Sequence, residues 1–262
     1  MRHTYRYKNN FQYWTDRWED LEVDSVMSNK DIYPLKYSEN LIKNDKHNSI
    51  LEAGCGNGRL LKYYHNNGYD IFGIDFIDSA VKKLKKSDNS LKVEKMSIFD
   101  TNFTDNKFKF ILAFGLYHNF KEDILNAFHE TNRILSTSGV LCASFRADNI
   151  QNKIIDFLYE RRYKGDRNET FFHKSNFKKK DLRKILNSTN FNIIKIENAV
   201  NMSFLYKIKL FRLSNQSNFN ENIGRNKGYN LNWLGRFINR VLMFISSNQF
   251  CNVYVVYARK IK

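Results

Sequence analysis

Cysteine, proline and acidic residues are scarce in parts of this chain, and long apolar runs are missing. Cys55, Cys142 and Cys251 are odd in number and widely scattered over 262 residues. They fit neither a disulfide framework nor a zinc-ligand spacing, and they read as reduced thiols of a cytoplasmic protein with no metal. The longest uninterrupted apolar stretch, around Phe110 to Tyr117, is far shorter than the ~20 residues a spanning helix requires. Met1 to Asn10 has basic residues but no apolar core, so no secretory signal is expected. What is abundant is core material: 42% of residues are hydrophobic, with 22 Phe and 15 Tyr, enough to fold without covalent staples.

The shortage of acid is local. The net charge is +16, yet residues 1–150 hold 21 basic and 20 acidic side chains, whereas residues 151–262 hold 22 and 7. A compositional bias toward Lys and Asn (34 Asn, one Pro) would act along the whole chain. The near-neutral first part therefore argues that the basic second part faces something anionic, against the plain alternative of a solvated Lys-rich surface.

From Asn48 onward, strand-like runs alternate with helical periodicity, the pattern of a parallel sheet covered by helices on both faces. Strands are expected at Ser49–Ala53, Asp70–Ile74, Leu91–Lys95, Phe108–Phe114 and Val140–Phe145. Helices are expected at Gly58–Asn67, Ile77–Lys86 and Lys121–Leu135, with Ser138-Gly139 breaking the last from its strand. Further on, Ile154–Tyr159 and Lys178–Leu186 read as helices, and Phe191–Glu197 and Asn252–Ala258 as strands. Between those two strands lie about fifty residues, far beyond an ordinary connection of ~4 to 6. The expected organisation is an N-terminal cap over 1–47, an α/β core over 48–197, a basic helical insertion over 198–251, and a final core strand over 252–262. In the cap, Tyr13, Trp14 and Trp18 have near-helical spacing and suit a lid, although each could simply pack on the sheet.

The most informative segment is Ile50-Leu51-Glu52-Ala53-Gly54-Cys55-Gly56-Asn57-Gly58, a strand running into three alternate glycines and then a helix. Glycine permits the sharp turn and close approach to a ligand, and amides at the helix start suit polar or anionic ligand atoms. A nucleotide-like ligand is expected there. A dinucleotide site wants G-x-G-x-x-G, but Arg59 stands at the third glycine, and no Gly-Lys-Ser/Thr of a P-loop follows.

The pattern closely resembles motif I of class I S-adenosylmethionine-dependent methyltransferases. Asp75 lies 21 residues beyond Gly54, at the end of the second strand. Phe110-Ile-Leu-Ala-Phe-Gly-Leu-Tyr-His-Asn-Phe120 resembles the family's motif IV. Arg133-Ile-Leu-Ser-Thr-Ser-Gly-Val140 resembles its R-[VI]-L-K-P-G-G run, with Ser-Gly in place of Pro-Gly. The resemblance implies an α/β, Rossmann-like seven-stranded sheet of order 3-2-1-4-5-7-6 with the last strand antiparallel, and S-adenosylmethionine as cofactor. It places the cofactor against Glu52, Ala53, Gly54, Cys55, Gly56 and Gly58, with the Asp75 carboxylate on both ribose hydroxyls and Phe76 beside it. Ser97 stands where the family often has an acid near the adenine. Ser97 or Asp100 would hold the adenine amine next to Ile98, and Phe114 and Gly115 would close the site.

The implied reaction moves a methyl group from a sulfonium to a nucleophile, which needs alignment and, for a hydroxyl acceptor, a base. His118 is the candidate base, or else a ligand of the loop or cofactor. Tyr117 and Trp14 are candidates for shaping the acceptor pocket, and Cys55 reads as a packed small residue rather than a nucleophile. In the insertion, Leu234, Phe237, Ile238, Val241, Leu242 and Ile245 fall on one face opposite Asn232, Arg236, Asn239 and Arg240, with Trp233 near the start. Such a helix packs on the sheet, lies on an anionic bilayer, or covers a hydrophobic acceptor. The leading expectation is methylation of a small or lipid-linked anionic acceptor, such as a glycan or envelope precursor, by a cytoplasmic protein with peripheral contact at the inner membrane surface. Behind it rank an RNA methyltransferase using the basic half, and a non-catalytic S-adenosylmethionine-binding protein.

Overall fold

Strands buried on both faces need unbroken apolar runs, and the central strands of this chain have them. In chain order the elements are β1 (Arg2–Arg6), α1 (Asn10–Asp20), α2 (Leu35–Ile42), β2 (Ile50–Ala53), α3 (Arg59–Asn66), β3 (Ile71–Asp75), α4 (Asp78–Ser87) and β4 (Val93–Lys95). There follow β5 (Phe108–Phe114), α5 (Ile124–Ile134), β6 (Leu135–Arg146), α6 (Ile150–Arg162), β7 (Phe171–Asn176), α7 (Lys179–Ser188), β8 (Phe191–Ala199), α8 (Trp233–Phe250) and β9 (Val253–Lys260). The computed structural model describes all residues except 8, 21–22, 24–25, 28, 44, 163–169, 217, 219–223, 226 and 262, so parts of the expected cap and insertion lie outside the described residues.

Seven strands form one sheet in the order β4-β3-β2-β5-β6-β9-β8, which is 3-2-1-4-5-7-6 in core numbering. β9 pairs antiparallel with both neighbours and the remaining pairs are parallel, as the resemblance implies. Successive residues of β2 feed opposite sides: Leu51 joins the cluster containing Ala113, Phe128 and Phe145, and Ile50 joins that containing Leu61, Tyr64 and Val255. Helices cover both faces with one apolar stripe each. In α4, Ala80, Val81 and Leu84 are buried, while the lysines between them are not.

Two local readings are corrected. Ser138-Gly139 does not separate helix from strand, because β6 starts at Leu135 directly after α5 and pairs there with Phe108, with a register shift before Phe110. The N-terminal segment is not only a lid helix. β1 pairs antiparallel with β7 in a separate two-stranded ribbon, an element that short polar sequences such as Arg2–Arg6 and Phe171–Asn176 do not advertise by alternation. Arg2 anchors the ribbon to the core through Asp148 (2.9 Å) and Asp156 (2.9 Å).

The arginine of the R-I-L run is structural. Arg133 donates to Glu130, to Asp105 and to the carbonyls of Phe103 and Thr101, tying α5 to the loop after β4. Among the described residues no helix is long and apolar enough to cross a membrane.

Candidate active site

At the carboxyl ends of β2, β3 and β5 lies a cavity of about 500 Å³. Open α/β sheets place ligands on this rim because the strands' connecting loops diverge there. Gly54, Cys55 and Gly56 form part of its floor, with Glu52 and Asp75.

All three glycines of the loop have left-handed φ values, +73°, +52° and +78° for Gly54, Gly56 and Gly58, where a Cβ is strained. Protein side chains also fill the space a side chain would need. A Cβ at Gly56 would lie 2.7 Å from the Trp18 ring, and one at Gly58 would lie 2.4 Å from Leu84. The loop amides are not free for a ligand, contrary to the expectation from the glycine pattern. Gly54 and Cys55 donate to the Ile74 carbonyl at 2.8 and 3.0 Å, Gly58 donates to Cys55, and Gly56 donates to Asp75 Oδ2 at 2.8 Å.

Two buried carboxylates hold this turn. Glu52 accepts from the Leu61 amide at 2.7 Å, satisfying an otherwise orphaned donor in the first turn of α3. Asp75 accepts from Gly56, from Ile77 at 3.0 Å and from Phe76, while burial pushes its pKa up. A carboxylate offers about four acceptor sites, so roughly one remains on Asp75. Asp75 thus latches the loop and keeps room for about one further donor.

The rest of the lining is basic. Arg6, Arg17, Arg59, Arg146, Lys174, Lys207 and Arg225 line the cavity, with Arg17 and Arg225 over the Trp18 ring beside the glycine loop. Arg146 is matched by Asp156, which accepts at 2.7 and 3.1 Å from its two terminal nitrogens. Arg6 sits 3.8 Å over the Tyr159 ring, and burial lowers its pKa. Arg17 donates to the Tyr13 hydroxyl at 3.3 Å. Among these cations lie two buried histidines, His118 and His173. Burial first, then the charges of Lys174 and Arg146, hold His118 well below its ordinary pKa. Burial, then Lys174 and Arg6, does the same to His173. Both are neutral at pH 7.

The Ser144 backbone carbonyl is a hydrogen-bond partner of the His118 imidazole, while His118 Nδ1 is buried with no partner. With the ring N–H donated to that carbonyl, Nδ1 carries a lone pair, a tautomer assigned from the hydrogen-bond network. Ser144 Oγ also accepts from the Gly115 amide (3.0 Å) and meets Tyr33 Oη (2.7 Å).

Residues 51–143 match a family model described as "Methyltransferase domain". Residues 51–143 are thus similar to methyltransferase domains, and the seven-stranded sheet has the class I S-adenosylmethionine-dependent methyltransferase fold. The fold is also that of solved structures of low identity. A SAM-dependent methyltransferase from Methanosarcina mazei is 16% identical with TM-score 0.56, the match covering 88% of this chain and 98% of that one. One from Archaeoglobus fulgidus is 16% identical with TM-score 0.58, covering 96% and 100%. The [4+2]-cyclase SpnF is 14% identical with TM-score 0.53, covering 95% and 92%, so the likeness of fold alone leaves the reaction open. No curated protein matches the chain.

The family implies S-adenosylmethionine as cofactor, and the floor suits it. Two buried carboxylates and a loop whose Gly54, Cys55, Gly56 and Gly58 amides are all engaged disfavour a pyrophosphate, and they favour a cation bearing hydroxyl donors. Beside them the matched region brings Phe76, Ser97, Ile98, Phe114 and Gly115 to the same cavity. Ser97 Oγ accepts from the Phe99 amide at 3.2 Å, leaving its proton to donate. Asp100 does not line the cavity, nor do Ala53, buried in the core, and Gly58, turned onto Leu84.

Of the acceptor-side residues, His118 and Trp14 line the cavity. Tyr117 does not. Its ring stacks on Phe128 (4.3 Å) and Phe145 (5.8 Å), and its hydroxyl meets Thr131 at 2.8 Å, so it is a core residue. Burial raises the Cys55 thiol well above its ordinary range, in keeping with a packing role. The sequence reading missed Tyr33, Arg6, Arg17, Arg146, His173 and Lys174. Arg6, His173 and Lys174 sit on the unforeseen ribbon, and no motif marks any of the six.

Proposed function

We propose that the protein transfers a methyl group from S-adenosylmethionine to a small or lipid-linked acceptor carrying negative charge. One observation supports this reading above all: one cavity is lined by two buried carboxylates under the glycine loop and by a set of cations, with His118 among its lining residues. The cofactor supplies an electrophilic methyl on a sulfonium. Glu52 and Asp75 shape the loop that receives it and offset its charge, and Phe76 and Ile98 give apolar cover.

On the acceptor side, Lys174, whose charge acts on both His118 and His173, draws in an anion, and the low-dielectric wall strengthens its pull. His118 lines the cavity, and its buried, unpartnered Nδ1 would accept a hydrogen bond from the acceptor's nucleophilic O–H or N–H, and so align it, once the ring turns toward the acceptor. An imidazole held this far below its usual pKa is a weak base. The acceptor proton therefore leaves late, or the nucleophile is already an oxyanion.

The test is to incubate the purified protein with methyl-labelled S-adenosylmethionine and separate fractions of anionic metabolites, polar lipids and RNA. Label is expected in an anionic small-molecule or lipid fraction. Label confined to RNA would overturn the acceptor assignment. Tight binding of S-adenosylhomocysteine with no label in any fraction would leave a binding protein without turnover.

A further inference from the structure

The helix α8 departs from what its sequence stripe suggests. Gly235 and Ile238 turn inward, against Phe211, Leu231 and the small apolar cluster of Leu205 and Tyr206. The other half of the stripe faces out. Trp233 is 73% exposed, Phe237 61%, Phe244 93% and Ile245 68%, with Val241 also exposed. At 1.5 Å per residue these side chains make a ridge roughly 18 Å long, and it ends where the helix is broken by non-helical dihedral angles at Ser246. The short turn Lys209–Phe211 packs beside α8 and adds Leu210, 69% exposed, with Ile208 next to it.

Exposed aromatic and aliphatic side chains in a continuous row cost hydrophobic free energy unless something covers them. Their neighbours say what does. Arg236, Arg240, Lys207 and Lys209 are exposed among them, and α8 contains no acidic residue. Across 198–262 the sequence has ten basic residues and a single acid, Glu221. A second copy of this face would set cations against cations. Nucleic acid would satisfy the cations but offers little to Val241, Phe244, Ile245 and Leu210. An anionic bilayer meets both demands, taking the apolar row into the acyl boundary and the cations into the headgroups.

We propose that the outer ridge of α8, with the adjoining Ile208–Leu210 turn, docks the protein on an anionic membrane surface. Lys207 joins this ridge to the cavity, since it lines the cavity and precedes Ile208. Met202 and Tyr229 likewise line the cavity and pack in the cluster beneath α8. The docked face would thus border the acceptor side of the site. The proposal does not depend on methyl transfer.

The experiment is co-sedimentation of the full chain with vesicles of phosphatidylcholine alone, or with about a third phosphatidylglycerol. Binding is expected only with phosphatidylglycerol, and it should weaken as salt rises. The pair Phe237→Ala and Phe244→Ala should weaken it about tenfold, and the pair Arg236→Gln and Arg240→Gln should remove the preference for anionic lipid. Both double variants should melt with the parent and bind S-adenosylhomocysteine equally, because these side chains project into solvent. No sedimentation with either vesicle, equal sedimentation with both, or unchanged binding by the phenylalanine pair would overturn the proposal. So would a dimer in light scattering that the phenylalanine pair makes monomeric. Loss of cofactor binding by the parent chain would instead count against the methyltransferase reading alone.

Discussion

Two walls of one cavity are built in opposite ways. On the floor, buried carboxylates are spent on backbone: Glu52 satisfies the start of α3, and Asp75 latches Gly56 to the end of β3. The rest of the lining carries charge largely on side chains, with Arg6, Arg146 and Lys174 near two neutral histidines. The floor is local in sequence, within about 25 residues of Glu52, so its geometry comes with the strand–loop–helix unit. The wall is assembled from distant segments, with Arg6 on β1, Arg146 on β6, and His173 and Lys174 on β7. Changes to the floor should therefore damage cofactor binding, and changes to the wall should alter acceptor chemistry while leaving the cofactor in place.

The largest expected effect breaks the floor. In Gly56→Val, a left-handed φ and the Trp18 ring both oppose the new side chain, for a combined cost of about 3 kcal/mol or more. Calorimetry should show S-adenosylhomocysteine affinity falling at least ~100-fold. Retained affinity would mean that the loop can be rebuilt without glycine. Next comes the wall at its reacting point. For His118→Ala, kcat should drop about 100-fold while S-adenosylhomocysteine binding stays within about twofold. A matched loss of both would place His118 on the cofactor instead.

A smaller effect is expected from Lys174→Met, which should raise KM for an anionic acceptor about tenfold with kcat nearly unchanged, an increase that added salt should diminish. The smallest concerns stability. His118 and His173 are held below the unfolded pKa of ~6.5, so the unfolded chain binds protons that the folded chain refuses. Stability from this source is complete above pH ~6.5 and is lost as the pH falls, by at most ~1.4 kcal/mol per histidine per pH unit. Thermal melts between pH 7 and 5 should show this slope, and His173→Gln should flatten it. An unchanged slope would show that His173 titrates alike in both states.

The same contrast explains what could be read from the sequence. The core strands and the position of Asp75 were legible because each βα unit is written in contiguous residues, from the Ile50–Ala53 run into its glycines, while the order of the strands was implied by the family resemblance. The wall was not legible. Pairing between Arg2–Arg6 and Phe171–Asn176 joins residues about 170 positions apart, and nothing in either short segment names its partner. Tyr117 was misplaced for a related reason. Its distance past β5 puts it at the rim, but the short helical turn Tyr117–Asn119 sends its ring back between Phe128 and Phe145 while His118 faces the cavity. In α8 a periodic apolar stripe could not tell which half meets protein, since that depends on Phe211 and Leu231 lying beneath Gly235.

Trp18 rests on the bare backbone of Gly56, and Lys83 holds the end of that tryptophan's helix through the Trp18 and Glu19 carbonyls at 2.8 and 2.7 Å. Positions 18 and 56 therefore share a single allotment of space. In related chains, a methyl group gained at one should coincide with a shrunken ring at the other, a covariation linking the first glycine-loop turn to a helix nearly forty residues upstream.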